Sequence, residues 1–126
     1  MTNDLNEIGK NAYACIFALV GEMKAADAFG KTSDYDAARY AIREDALEIA
    51  VREDWHAPGV KMAPTDFMIL ITTGGPAVRI RGELNNHSEP CRAWLEVQDW
   101  GTPWTEYHDV DEDVLLDYAN CFYFGE

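Results

Sequence analysis

The amino-acid sequence predicts an α+β domain with two N-terminal helices, an antiparallel β-sheet of about four to five strands and a short C-terminal helix. Three observations carry this expectation. Apolar residues recur at three-to-four spacing through the first third of the chain, alternate with polar residues from Leu47 onward, and return to helical spacing after Asp111. No repeat, low-complexity tract or Pro/Gly-rich linker divides residues 1–126, so one domain is expected. A chain of this length buries roughly two-thirds of its unfolded surface, enough to fold without a metal or a disulfide.

The first helix is read from Leu5, Ile8, Ala12, Cys15, Ile16, Leu19, Val20 and Met23, which form one apolar stripe. Asn3 is the expected N-cap, Asp4 and Glu7 suit the positive end of the helix dipole, and Gly30 is the expected stop. The second helix is expected after Ser33, where Ser33-x-x-Asp36 resembles a capping box and Tyr35, Ala38 and Ile42 share a face. From Leu47, the apolar residues Leu47, Ile49 and Val51 alternate with Glu48, Ala50 and Arg52, the pattern of a half-buried strand, with a helix as the alternative. Strands are also expected over 67–73, 77–84 and 90–98, with a shorter one over 104–108. The first two of these join across Thr73-Gly74-Gly75-Pro76, where glycine suits a tight hairpin turn. Asp111-Glu112-Asp113 opens the terminal helix through Leu115, Leu116, Tyr118 and Ala119.

Charge predicts the register of the central hairpin. Placing Val78, Ile80 and Leu84 on one face with Cys91, Ala93, Leu95 and Val97 sets Ile80 opposite Leu95 and Leu84 opposite Cys91. The other face then pairs Arg79 with Glu96, Arg81 with Trp94, and Glu83 with Arg92. Each such pair contributes roughly 0.2–1 kcal/mol.

The formal net charge is −13, and nine acidic residues but no lysine or arginine follow Arg92. Such a field repels nucleic acid and anionic membrane and attracts basic protein surfaces, although acidity also serves solubility alone. The N-terminus lacks the basic start of a secretory signal, and the longest apolar run, residues 67–71, is too short to cross a bilayer. Cys15, Cys91 and Cys121 are widely spaced and odd in number, so they are expected to be reduced, mostly buried thiols in a cytoplasmic protein.

No residue pattern makes a convincing catalytic, cofactor or metal site, and a non-enzymatic protein is expected. Asp109-x-Asp111-x-Asp113 begins like a calcium loop, but Val114 stands where the sharp turn is needed and no glutamate closes the loop. His108-Asp109 lacks neighbouring histidines at ligand spacing, since His56 and His87 lie in separate loops. A nucleophilic pair of Cys91 and His87 would need a thiol that the register places in the core. Gly74-Gly75 precedes a strand, so it is no phosphate-binding loop.

Two Trp-centred loops are the most distinctive feature: 54–59, with Trp55, and 99–107, with Asp99, Trp100, Trp104 and Glu106. Packing over the open edge of a small core is the commoner use of such indoles. Gathering around a shallow pocket, or anchoring a partner, is the alternative.

The blocks Asp45-Ala46-Leu47 through Trp55-His56-Ala57-Pro58-Gly59, Thr73-Gly74-Gly75-Pro76 through Gly82-Glu83-Leu84, Gln98-Asp99-Trp100 through Thr105-Glu106-Tyr107, and Phe122-Tyr123-Phe124-Gly125-Glu126 resemble a family of small acidic proteins of phages and mobile elements. The resemblance covers roughly the C-terminal two-thirds and carries no site residue over. It implies an accessory protein acting in the cytoplasm of a bacterial host. Such proteins often inhibit host defence, as anti-CRISPR and anti-restriction factors do by occupying basic nucleic-acid channels. The expected function is therefore an inhibitor that binds a basic protein surface, such as a CRISPR or restriction subunit, with no direct nucleic-acid binding. Its expected contact residues are Trp55, Asp99, Trp100, Trp104, Glu106, Asp109, Asp111, Glu112 and Asp113. The alternative is a module that binds a small ligand or a host protein through the Trp-rich loops or the Arg79/Arg81/Trp94 sheet face.

Overall fold

A computed structural model describes residues 4–73 and 76–125. The expected Asn3 cap and the Gly74-Gly75 turn lie outside the described residues. Eight elements follow one another as α1 (Asp4–Ala28), α2 (Thr32–Asp45), β1 (Glu48–Arg52), β2 (Asp66–Thr72), β3 (Ala77–Leu84), β4 (Pro90–Gln98), β5 (Thr105–Tyr107) and α3 (Glu112–Ala119). This is the α+β architecture expected from the sequence.

The two helices meet at a tight stop. Gly30 adopts φ +67°, a conformation open to glycine without a Cβ penalty. Its N–H donates to the Asp27 carbonyl at 3.1 Å, and that of Lys31 to Ala26 at 3.0 Å, the paired bonds of a Schellman closure. That closure puts Lys31 at once at the head of α2, where the Tyr35 N–H donates to its carbonyl at 2.9 Å. The capping box expected at Ser33 does not form: α2 begins at Thr32, Lys31 occupies the N-cap position without a side-chain cap, and Ser33 is already inside the helix.

The five strands form one antiparallel sheet in the order β1-β2-β3-β4-β5. The β3/β4 register pairs Ile80 with Leu95, Arg79 with Glu96, Arg81 with Trp94 and Glu83 with Arg92, as charge complementarity predicts. Beyond Glu83 the register slips, so Leu84 faces Pro90 instead of Cys91. The slip moves Cys91 off the core, contrary to expectation, and its thiol donates weakly to the Glu83 carbonyl at 3.4 Å. Cys15 is also exposed, at the margin of a stripe whose buried members are Ile16, Val20 and Met23. Cys121 alone is buried, and burial pushes its thiol pKa up. Thiol titration of the native protein is therefore expected to modify Cys15 and Cys91 quickly and Cys121 only on unfolding; rapid modification of all three would contradict this packing.

α1 and α3 pack on one face of the sheet, and α2 packs on α1. Ile69, Ile80 and Leu95 are fully buried beneath them, together with Ile16, Ile42, Leu115 and Tyr118. The Tyr118 hydroxyl donates to Asp45 at 2.7 Å and ties α3 to the end of α2; burial first, and that carboxylate second, raise its pKa well above the usual tyrosine range. After α3 the chain turns back, and Phe124 packs on Phe67 with ring centroids 4.8 Å apart. Among the described residues, no helix packs broadly on β1. α1 packs against β3, β4 and β5, and α3 against β4. Leu47, Ile49 and Val51 are consequently exposed, although their alternation was expected to mark a buried face.

Candidate functional site

Two surfaces concentrate the candidate residues. The first is the β5 edge, where the sheet, the start of α1 and the start of α3 converge. Asp111 sits at the N-cap of α3: its side chain accepts from the Asp113 N–H at 3.0 Å, and its own N–H donates to the Tyr13 hydroxyl oxygen at 3.1 Å. Glu112 accepts from the Ala93 N–H and from Arg92 Nε, both at 3.0 Å, and these two bonds, in that order, lower its pKa below the ordinary glutamate value. Asp117 holds Lys24 at 2.7 Å, and that bond, aided by the more distant charges of Asp113 and Asp111, raises the lysine pKa. Tyr107 is raised first by burial and then by Asp109 and Glu7. Glu7, Lys10, Tyr107 and Asp109 line one shallow depression.

These bonds divide the expected acidic contact residues into two groups. Asp111 and Glu112 serve the fold, one as a helix cap and the other as a clamp on β4. Glu106, Asp109 and Asp113 are exposed, Asp99 is half-buried in its own turn, and Glu7, not among the expected residues, is exposed beside Asp109. The basic residues nearby are Lys10, Lys24, Arg92 on Glu112, and His108, 3.4 Å from Glu106.

The second surface is the face of the sheet that no helix covers. Register places Leu70, Arg79, Glu96 and Glu106 in one row across it, and Ala50, Met68, Arg81 and Trp94 in the next. Arg79 Nε donates to Glu96 Oε1 at 2.7 Å, the other Glu96 oxygen accepts from the Trp94 indole at 3.1 Å, and both ion-pair side chains are largely shielded from solvent. The Arg79 guanidinium stacks 4.0 Å from the Trp104 ring, and that of Arg81 lies 5.9 Å from Trp94. The Arg79–Trp104 stack was not read from the sequence. Its signal is parity: Trp104 stands two residues before Glu106, which faces Glu96, the ion-pair partner of Arg79. A shallow depression of about 210 Å³ opens beside this network, lined in part by Ala50, Met68, Arg79 and Arg81.

The indoles do not come together. Trp55 follows the C-terminal end of β1 and Trp100 that of β4, and these ends lie at opposite ends of the sheet because β1 and β4 run in opposite directions. Neither caps a core, contrary to the commoner use: Trp55 is fully exposed and Trp100 is 82% exposed. A self-bonded turn holds Trp100 outward, with the Trp100 N–H donating to Asp99 Oδ1 at 2.8 Å and the Asp99 N–H to Thr102 Oγ1 at 2.9 Å. The local hydrogen bonds of that turn close on themselves and leave the indole nothing to pack against.

His56, His87 and His108 occupy three separate loops. Among the described residues, no group of three or more His, Cys, Asp or Glu side chains could hold a metal ion, and no helix is long and apolar enough to cross a membrane. Comparison with protein-family models, with curated proteins and with solved structures finds no match to this chain.

Proposed function

We propose that this chain is a non-enzymatic inhibitor that covers a basic surface of a nucleic-acid-handling defence complex in a bacterial host, in the manner of phage anti-CRISPR or anti-restriction proteins. The observation that supports this reading is the set of exposed carboxylates around β5 and the start of α3: Glu7 and Asp109 beside Tyr107, Glu106 on the open face of β5, and Asp113 in the first turn of α3. Carboxylates presented in this way stand in for phosphates, steer the protein toward a positive channel and bind less well as salt rises. Trp100, held outward by its turn between β4 and β5, supplies the apolar anchor that a charged rim lacks.

Capture of the partner from host lysate on the immobilised chain tests this. A nucleic-acid-binding subunit is expected that elutes with salt and is displaced by its own DNA or RNA. Trp100→Ala is expected to speed dissociation of that complex while leaving the melting temperature nearly unchanged, because the indole packs on nothing. A captured partner indifferent to both salt and nucleic acid would contradict the proposal.

A second reading rests on the open sheet face, where Met68, Arg79 and Arg81 line the shallow depression and Trp94 lies 5.9 Å from the Arg81 guanidinium. There the chain would bind a small ligand or a host protein, and Trp94→Ala would abolish capture while neutralisation of the β5 edge would not.

A further inference from the structure

The two edges of the sheet are unlike. β5 is three residues long, carries Glu106 and follows closely on Pro103. Short length, charge and proline are the means by which proteins block edge-to-edge pairing. β1 has five residues, Glu48-Ile49-Ala50-Val51-Arg52, with no proline and no charge on its helix-side face. That face carries Leu47, Ile49 and Val51, which are 58%, 40% and 47% exposed. Beside Ile49 and Val51 lie the buried Ile69 and Phe67, to which they are registered. An apolar row on an unguarded edge costs stability and solubility unless something covers it.

The sequence of β1 identifies what fits. Laid antiparallel on a second β1 about Ala50, it places Glu48 opposite the partner's Arg52, Ile49 opposite the partner's Val51, and Ala50 opposite the partner's Ala50. Arg52 faces the partner's Glu48 in turn, as an isologous twofold contact requires. Both charged pairs fall on the open face of the sheet and both apolar pairs on the helix-side face, because the alternation of β1 is symmetric about its centre. Arg52 already bonds Asp66 through Nε and one terminal nitrogen, at 3.1 and 2.6 Å, yet its side chain is 66% exposed and its other terminal nitrogen carries no bond. Glu48 has no ion-pair partner among the described residues.

We propose that the chain forms a twofold dimer in which β1 pairs with β1 of a second copy, joining the two sheets into one. Self-complementarity in both charge and apolar pattern favours a second copy over an unrelated strand. The geometry also suits the charge of the chain: β1 and β5 are opposite edges, so pairing at β1 keeps the two acidic β5 edges apart at the outer ends.

Sedimentation velocity of the full chain over about 5 to 500 µM tests the proposal, because a short strand interface belongs to the weak end of specific contacts. The wild-type protein is expected to shift from monomer to dimer across that range. Glu48→Arg alone, or Arg52→Glu alone, opposes like charges at both ends of the contact and is expected to weaken the dimer roughly ten-fold or more. An equimolar mixture of these two variants sets opposite charges against each other at both ends and is expected to recover near wild-type affinity. Circular dichroism checks that each variant is folded. If Arg52→Glu folds poorly because its carboxylate meets Asp66, adding Asp66→Asn to that chain keeps the mixture informative. A wild-type chain that stays monomeric, single variants that dimerise as tightly as wild type, or a mixture no tighter than its components would each overturn the proposal.

Discussion

Phe67→Ala is expected to cost about 3–5 kcal/mol, the usual range for removing a buried aromatic side chain, and to lower the melting temperature by roughly 10–20 °C. Phe67 is 1% exposed, stacks on Phe124, and lies in the β2 position registered to Gly82. Its loss would free the returning C-terminal segment from the sheet and leave a cavity over a glycine that has no side chain to fill it. Against a total stability of roughly 5–15 kcal/mol for a domain of this kind, that is a large fraction. Chemical denaturation, with the midpoint and slope fitted together, measures it. A loss below about 1 kcal/mol would mean that Phe67 does not hold the segment after α3 against the sheet.

Gly82→Ala adds volume at the same spot and is expected to destabilise by about 1–3 kcal/mol through overpacking. A methyl group there would collide with the Arg92 carbonyl oxygen and lie 2.5 Å from the Phe67 ring. The normal gain from replacing a strand glycine by alanine, about 0.5–1 kcal/mol, is too small to offset both contacts. Shrinking the ring with Phe67→Leu relieves one of the two, so the double variant is expected to be less destabilised than the sum of its parts. Strict additivity would contradict the packing of this ring on Gly82.

Pairing of β3 with β4 was legible because charge and apolarity alternate in step along both strands. Arg79, Arg81 and Glu83 find Glu96, Trp94 and Arg92 only in the register that also buries Ile80 against Leu95. The departures have local causes. Cys91 left the core because the register slips after Glu83, and a slip of one residue leaves no mark on composition or period. Ser33 was passed over as a cap because the stop after α1 is so tight that α2 has already begun. Leu47, Ile49 and Val51 alternate as a buried row would, but how far the helices extend over a sheet depends on tertiary placement, and among the described residues none packs broadly on β1.

The candidate surfaces were legible by residue type more than by arrangement. The acidic bias after Arg92 is plain in the sequence, yet only the folded chain separates Asp111 and Glu112, which support α3 and β4, from Asp109 and Asp113, which face solvent. Glu7 joins that edge from the far end of the chain, across a separation that no motif spans. Trp55, Trp100 and Trp104 were expected to pack over the core edge, with a shared pocket as the alternative, whereas strand direction sends Trp55 and Trp100 to opposite ends of the sheet, both exposed, and Arg79 takes Trp104 as a stacking partner.

The claim that the β5 edge meets a basic surface is tested most directly by the salt dependence of association. The variant to compare with wild type carries Glu7→Gln, Glu106→Gln, Asp109→Asn and Asp113→Asn, and leaves Asp111 and Glu112 in place so that the cap and clamp of α3 survive. Association with the captured partner would be followed at several salt concentrations for both proteins, with thermal melts alongside. The expected result is slower association for the variant and a clearly shallower dependence on salt, with little change in dissociation or melting temperature, because rim charges govern encounter more than residence. Equal association rates and equal salt slopes in the two proteins would contradict the proposed function.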